Sequence, residues 1–230
     1  MSKFLVSRAI VTNNRPLAML VGILTLLAGA NAMAIEEPEY KVVKTYPEFE
    51  LRRYAPFLVA ETEVSGDFDE VGNRAFRILA AYIFGENRSR AKMEMTAPVN
   101  QRPATGEGEK MAMTAPVAQR PKGGAGSDTF VLSFVMPSGY GLDSLPLPLD
   151  PRVRLREEPA KLMAVRSYSG RWTEANYRDN ESQLLAAVEK AGLTPMAPPV
   201  YARYNSPFSL PFIRRNETMV EVRGMEHLTD

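Results

Sequence analysis

Four methionines set in two pairs are the densest concentration of chemistry in this 230-residue chain. Lys92-Met93-Glu94-Met95-Thr96-Ala97-Pro98-Val99 recurs 18 residues later as Lys110-Met111-Ala112-Met113-Thr114-Ala115-Pro116-Val117, and each copy runs on to Gln-Arg-Pro. In an extended segment residues two apart share a face. Met93 with Met95, and Met111 with Met113, would therefore form flexible, polarisable patches that suit a flat apolar guest. A thioether can also ligate heme iron, and core packing uses the same residues equally well. The second cluster is Arg214-Arg215-Asn216-Glu217. A guanidinium fork such as that of Arg214 can grip carboxylates. Alternatively these side chains pair with each other or with backbone and tie the C-terminal segment to a sheet.

Other chemistry is excluded by composition. There is no cysteine, hence no thiolate nucleophile, thiolate metal site or covalent c-type heme. The single histidine, His227, lies four residues from the end, which leaves no interior Ser-His-Asp triad and no histidine-rich zinc site. Gly123-Gly124-Ala125-Gly126 follows Pro-Lys rather than a strand and reads as a loop. No paired carboxylates and no nucleophile elbow stand out, so an enzyme is not expected.

The elements that must position these residues follow from periodicity. Tyr40 to Tyr46, Phe49 to Arg53 and Phe57 to Val64 read as strands. Asp67 with Glu70 three residues later has capping-box register and opens a helix that runs to about Phe84 and stops at Gly85. Val71, Ala75, Ile78, Leu79 and Tyr82 form one apolar stripe on it. Phe76, Ala80 and Ile83 form a second stripe, expected to face other protein, a partner or an apolar ligand. A second pass gives strands over Val153 to Glu157 and Lys161 to Ser167, then a helix from Glu174 to Ala191 whose single stripe is Tyr177, Leu184, Leu185 and Val188. Closing strands follow at Val200 to Tyr204 and Thr218 to Val222. Two similar passes suggest a pseudo-duplicated α+β domain with antiparallel sheet. The prolines within the methionine repeat argue for edge segments or a bulge.

Residues 1–34 read as an export signal. Lys3, Arg8 and Arg15 precede an apolar run from Leu17 to Leu27, too short to span a bilayer comfortably, and Ala32-Met33-Ala34 offers a cleavage site. Cleavage after Ala34 is expected, giving a periplasmic or secreted protein; the alternative is an uncleaved anchor. Removing three of the 28 basic residues and none of the 27 acidic ones leaves 25 against 27, a net charge of about −2. That excludes the clustered basic footprint of a nucleic-acid binder. It also confines membrane contact to an uncleaved signal segment. Residues 35–230 are expected to form one domain.

Several motifs occur in an order that resembles the SOUL heme-binding protein family. They are Glu50-Leu51-Arg52-Arg53-Tyr54, the helix after Gly66, Lys-Met-x-Met-Thr-Ala-Pro-Val, Phe134-Val135-Met136-Pro137, Leu145-Pro146-x-Pro148, Val165 to Gly170, Tyr204-x-x-Pro207 and Arg214-Arg215-Asn216-Glu217. The resemblance covers essentially all of residues 35–230. It implies an α+β fold, a distorted antiparallel β-barrel of two pseudo-repeated βαββ-type halves with two helices, similar to effector-binding domains of multidrug-responsive regulators. It also implies non-covalent binding of heme or a related tetrapyrrole on an apolar groove beside the first helix. Phe76 and Ala80 occupy positions that resemble the family's heme-contacting face. The histidine and basic residues proposed to meet heme in animal members have no counterpart here, since those basic positions fall on Ala81 and near Ser209. The expected binder therefore holds its porphyrin mainly by apolar burial, with Phe76, Ala80, Ile83, the four repeat methionines and Arg214 as candidate contacts. A binding module for another hydrophobic small molecule or a protein partner is the competing expectation.

Overall fold

The structure is a computed structural model that describes residues 35–89, 108–123 and 127–223. Residues 1–34, where an export signal is expected, the first methionine copy with Met93 and Met95, and His227 lie outside the described residues.

Twelve strands and two helices follow in the order β1 (Tyr40–Thr45), β2 (Glu50–Tyr54), β3 (Phe57–Ser65), α1 (Phe68–Ile83), β4 (Asn87–Arg88), β5 (Val117–Pro121) and β6 (Thr129–Val135). After these come β7 (Leu147–Pro148), β8 (Arg154–Glu158), β9 (Lys161–Tyr168), α2 (Glu174–Lys190), β10 (Thr194–Pro195), β11 (Val200–Arg203) and β12 (Asn216–Arg223). Nine strands form one antiparallel sheet in the order β1-β2-β9-β12-β11-β5-β6-β3-β8, with β10 pairing β12, while β4 and β7 pair separately. The sheet curls but stays open between β1 and β8, so the expected barrel is a half-barrel with an α+β composition.

Strand alternation assigns the two faces. In β3, Ala60 joins the main core while Val59 and Glu61 point the other way; in β6, Phe130, Leu132 and Phe134 join it while Ser133 and Val135 do not. α1 covers this face through Val71, Ala75, Leu79, Tyr82 and Ile83. α2 covers the β2-β9-β12 part through Leu184, Ala187 and Val188, which pack on Leu51, Ala164 and Val220. Both helices thus lie on one face, and the opposite face lines a hollow.

Three local expectations change. Asp67 is the N-cap of α1 by position, but its side chain makes no cap bond; its backbone carbonyl accepts from Glu70 and Val71 instead. On α2, by contrast, the Thr173 side chain accepts from the Asn176 N–H. The β6 strand, which periodicity did not single out, lies in the interior of the sheet. Finally, the second methionine copy leads into an interior strand and not an edge: β5 runs between β6 and β11. Pro116 sits just before β5 and Pro121 is its last residue, so Ala118, Gln119 and Arg120 between them keep every ladder donor.

Candidate functional site

Phe76 lies on the outer side of α1, 36% exposed, with its ring 5.3 Å from that of Phe134. Ala80 and Ile83, one and two turns on, are buried in the main core. The second apolar stripe is therefore not an exposed surface along its whole length: the curl of β6 against α1 and the chain at Met111 take up its lower half. Phe84, two turns beyond Phe76 at spacing i+8, is 57% exposed and extends the outward line. Spacing alone identifies Phe84, but it fell at the edge of the expected helix.

The second methionine copy runs beside this end of α1. Met111 N–H donates to the Ile83 carbonyl at 2.9 Å, and the Met111 side chain is buried with Ile83. Met113 is exposed, and Thr114 Oγ1 donates to the Val135 carbonyl. Lys110 to Pro116 is not a regular strand, so two residues of spacing do not place Met111 and Met113 in one environment. One is core and the other is surface.

Arg214 is occupied. Its Nε donates to the Ser209 carbonyl at 2.9 Å and its Nη2 to the Pro207 carbonyl at 2.8 Å, while the guanidinium stacks over Trp172 at 4.3 Å. Of the two alternatives for this cluster, the geometry is that of a structural tie. Glu217 is buried and accepts from Arg52 Nη1 at 3.1 Å, Ser167 Oγ at 3.1 Å and Tyr204 Oη at 2.6 Å.

This network forms part of the face opposite the helices. Tyr54, Phe57, Val59, Val135, Met163 and Met219 line a cavity of about 90 Å³ there, with Arg120, Glu158 and Lys161 at its mouth. Residues 35–39 strap across it: Ala115 N–H donates to the Glu36 carbonyl at 2.9 Å, Ala55 N–H to the Glu39 carbonyl at 3.0 Å, and Pro38 lines the cavity wall. Burial pushes the Tyr54 hydroxyl up to about 12 against the opposing Arg52 hydrogen bond. Burial, reinforced by the Glu217 carboxylate, also raises Tyr204 well above the usual phenol range. Burial works against ionised Glu158, but its pairing with Arg156 and Lys161 prevails and holds it below the usual carboxylate range. Two wider hollows of about 510 and 570 Å³ adjoin it, the first sharing Pro38, Phe57 and Val135 and the second Arg120, Glu158, Lys161 and Met163, so the small cavity is the apolar centre of a larger concave surface.

Among the described residues no three of His, Cys, Asp or Glu gather to hold a metal ion, and there is no histidine. The described residues therefore supply no imidazole ligand.

The family model for SOUL heme-binding protein matches residues 35–221. The chain is similar to human heme-binding protein 2, with 30% identity over 195 residues that cover 82% of this chain and 86% of that protein. In three dimensions it is similar to the crystal structure of the EcmrR C-terminal domain, with a TM-score of 0.55 and 11% identity over 80% of this chain and 98% of the other. It is also similar to an uncharacterised conserved protein from Listeria innocua, with a TM-score of 0.51 and 13% identity over 81% and 92% of the two chains. These two likenesses concern the fold alone. The chain belongs to the SOUL heme-binding protein family.

Proposed function

We propose that the protein is an exported heme- or porphyrin-binding protein, a carrier or buffer and not an enzyme, that holds the macrocycle mainly by apolar contacts along the outer face of α1. The observation that carries this reading is the exposed line of Phe76 and Phe84, with exposed Met113 on the neighbouring segment, in a chain of a heme-binding family. Two exposed phenyl rings, one on the helix and one at its C-cap, offer a flat macrocycle apolar surface. Bound heme would supply the visible chromophore and the iron; the chain supplies apolar burial, and selectivity among flat hydrophobic guests is accordingly modest. Export is supported by Lys3, Arg8 and Arg15 ahead of the Leu17 to Leu27 run, and by a family match that starts directly after Ala34.

Hemin titration followed at the Soret band tests the reading. A red-shifted, saturable band is expected for the wild type, and Phe76→Asp with Phe84→Asp should remove it while leaving thermal unfolding nearly unchanged. No band shift, or one untouched by both substitutions, overturns it. Ala80 is buried and unsuited to such a probe.

The hollow favours a second reading, a binding module for another hydrophobic small molecule. Solvent extraction of the purified protein and mass spectrometry separate the two: a recovered tetrapyrrole supports the first, a small volatile or lipid fragment the second.

A further inference from the structure

The loop between β11 and β12 presents four large apolar side chains within six residues to solvent. Phe208 is 95% exposed, Leu210 56%, Phe212 72% and Ile213 60%. Isolated exposed apolar residues are ordinary, but a contiguous group of this kind marks a contact surface. The loop is also firmly built. Arg214 ties the carbonyls of Pro207 and Ser209, Arg215 N–H donates to Asn205 Oδ1 at 2.6 Å, Ile213 N–H donates to the Leu210 carbonyl at 3.1 Å, and Gly170 N–H donates to the Pro211 carbonyl at 2.9 Å. The backbone is satisfied from behind, and the apolar groups point outward.

From this geometry we infer that the tip of the β11–β12 loop inserts into a lipid bilayer surface bearing anionic headgroups, a membrane contact on the domain itself that departs from the expectation, drawn from net charge, of contact through the signal segment alone. The tip is a knob and not a groove, and an acyl-chain interface receives a knob of any shape. The nearby charge fits such a surface: Arg214 and Arg215 close the loop, and the segment from Tyr204 to Asn216 carries no acidic residue, the carboxylate of Glu37 being paired with Arg215. Exposed Arg171 adds a third basic residue beside the loop's anchor at Gly170. The polypeptide also enters the described domain at the root of this loop, because Arg215 Nη2 donates to Glu37 Oε2. The inference goes beyond the porphyrin reading and uses a different surface.

Trp172, the single tryptophan, lies under Arg214 and reports on the loop. The full chain, free of heme, is mixed with vesicles of phosphatidylethanolamine and phosphatidylglycerol whose acyl chains carry bromine. Quenching of Trp172 is expected, and Phe208→Ser with Phe212→Ser should weaken it roughly tenfold or more, the scale set by keeping two phenyl rings in water. An anchor in residues 1–34 can float the chain with vesicles in both forms, but it leaves the difference in Trp172 quenching intact. Absent quenching, or equal quenching in both forms, overturns the inference. So does a finding that the double variant only abolishes self-association seen by sedimentation, or only abolishes hemin binding. Leu210→Ser, a milder change at the same tip, should give an intermediate loss.

Discussion

Arg52 and Glu217 stand 165 positions apart in sequence, yet they meet at 3.1 Å on the face away from the helices. Both side chains are buried, so neither charge has water to fall back on. Removing one partner strands the other, and Arg52→Ala should cost about 3–5 kcal/mol in urea unfolding. Glu50 also pairs with Arg52, but its carboxylate is more than a third exposed, and Glu50→Ala should cost less than about 1 kcal/mol. Equal losses for the two variants would sink this account. The tyrosines around the network set an alkaline limit. Tyr54 is raised from 10.0 to about 12, so its neutral form is favoured by folding. A raised folded-state value contributes stability that is complete below the unfolded value and disappears as pH climbs through the folded one. Tyr204 and Tyr201 are also raised, chiefly by burial. Unfolding monitored at a series of pH values should therefore show stability level below pH 10 and falling above it. Glu158, held low, acts in the opposite sense: its contribution is present above the ordinary carboxylate range and lost as pH falls through its folded value.

At the scale of the element, α1 carries two roles on two sides. Leu79 is fully buried against the sheet, and Leu79→Ala should cost about 2–5 kcal/mol. Phe76 is partly open to solvent, and Phe76→Ala should cost much less while weakening hemin binding. A melting temperature that falls equally for both would place Phe76 in the core and remove the ligand surface. Helix α1 stops at Gly85, whose φ of 115° excludes a side chain without strain. That stop turns the chain so that Glu86 and Asn87 can cross to the β4–β7 pair. Asn87 then holds the returning segment, donating to the Glu109 carbonyl at 2.8 Å and accepting from the Glu109 N–H at 2.9 Å. Met111 reaches the core through this clamp.

Over the whole molecule, the sheet is assembled from strands distant in sequence. The last strand, β12, lies between β9 and β11, so the final segment is central and not peripheral. Ending the chain before Asn216 should leave an insoluble or unfolded product, seen as loss of dispersed amide resonances; a folded truncated protein would contradict the register Met219↔Val165 and Val200↔Met219. Export belongs to the same scale. Expression of the full chain in a bacterial host, followed by N-terminal sequencing of the periplasmic fraction, should return Ile35 as the first residue.

Periodicity and punctuation sufficed for the two helices and most strands, because stripe spacing, Gly85 and Gly192 are local signals. Ordered motifs from Glu50-Leu51-Arg52-Arg53-Tyr54 to Arg214-Arg215-Asn216-Glu217 were enough to identify the family. Local signals do not carry which strands pair: the prolines of the methionine repeat point to an edge or a bulge, yet the second copy leads into β5, which is interior. The same limit applies to the methionines: spacing two puts Met111 and Met113 on one face only if the segment is a strand, and it is not. Arg214 could have met a carboxylate until the fold placed Pro207, Ser209 and Trp172 around it. The exposed half of α1, the hollow on the opposite face and the apolar tip at Phe208 are properties of which surfaces remain uncovered. Burial is decided by contacts between residues far apart in the chain, and only the tertiary structure contains them.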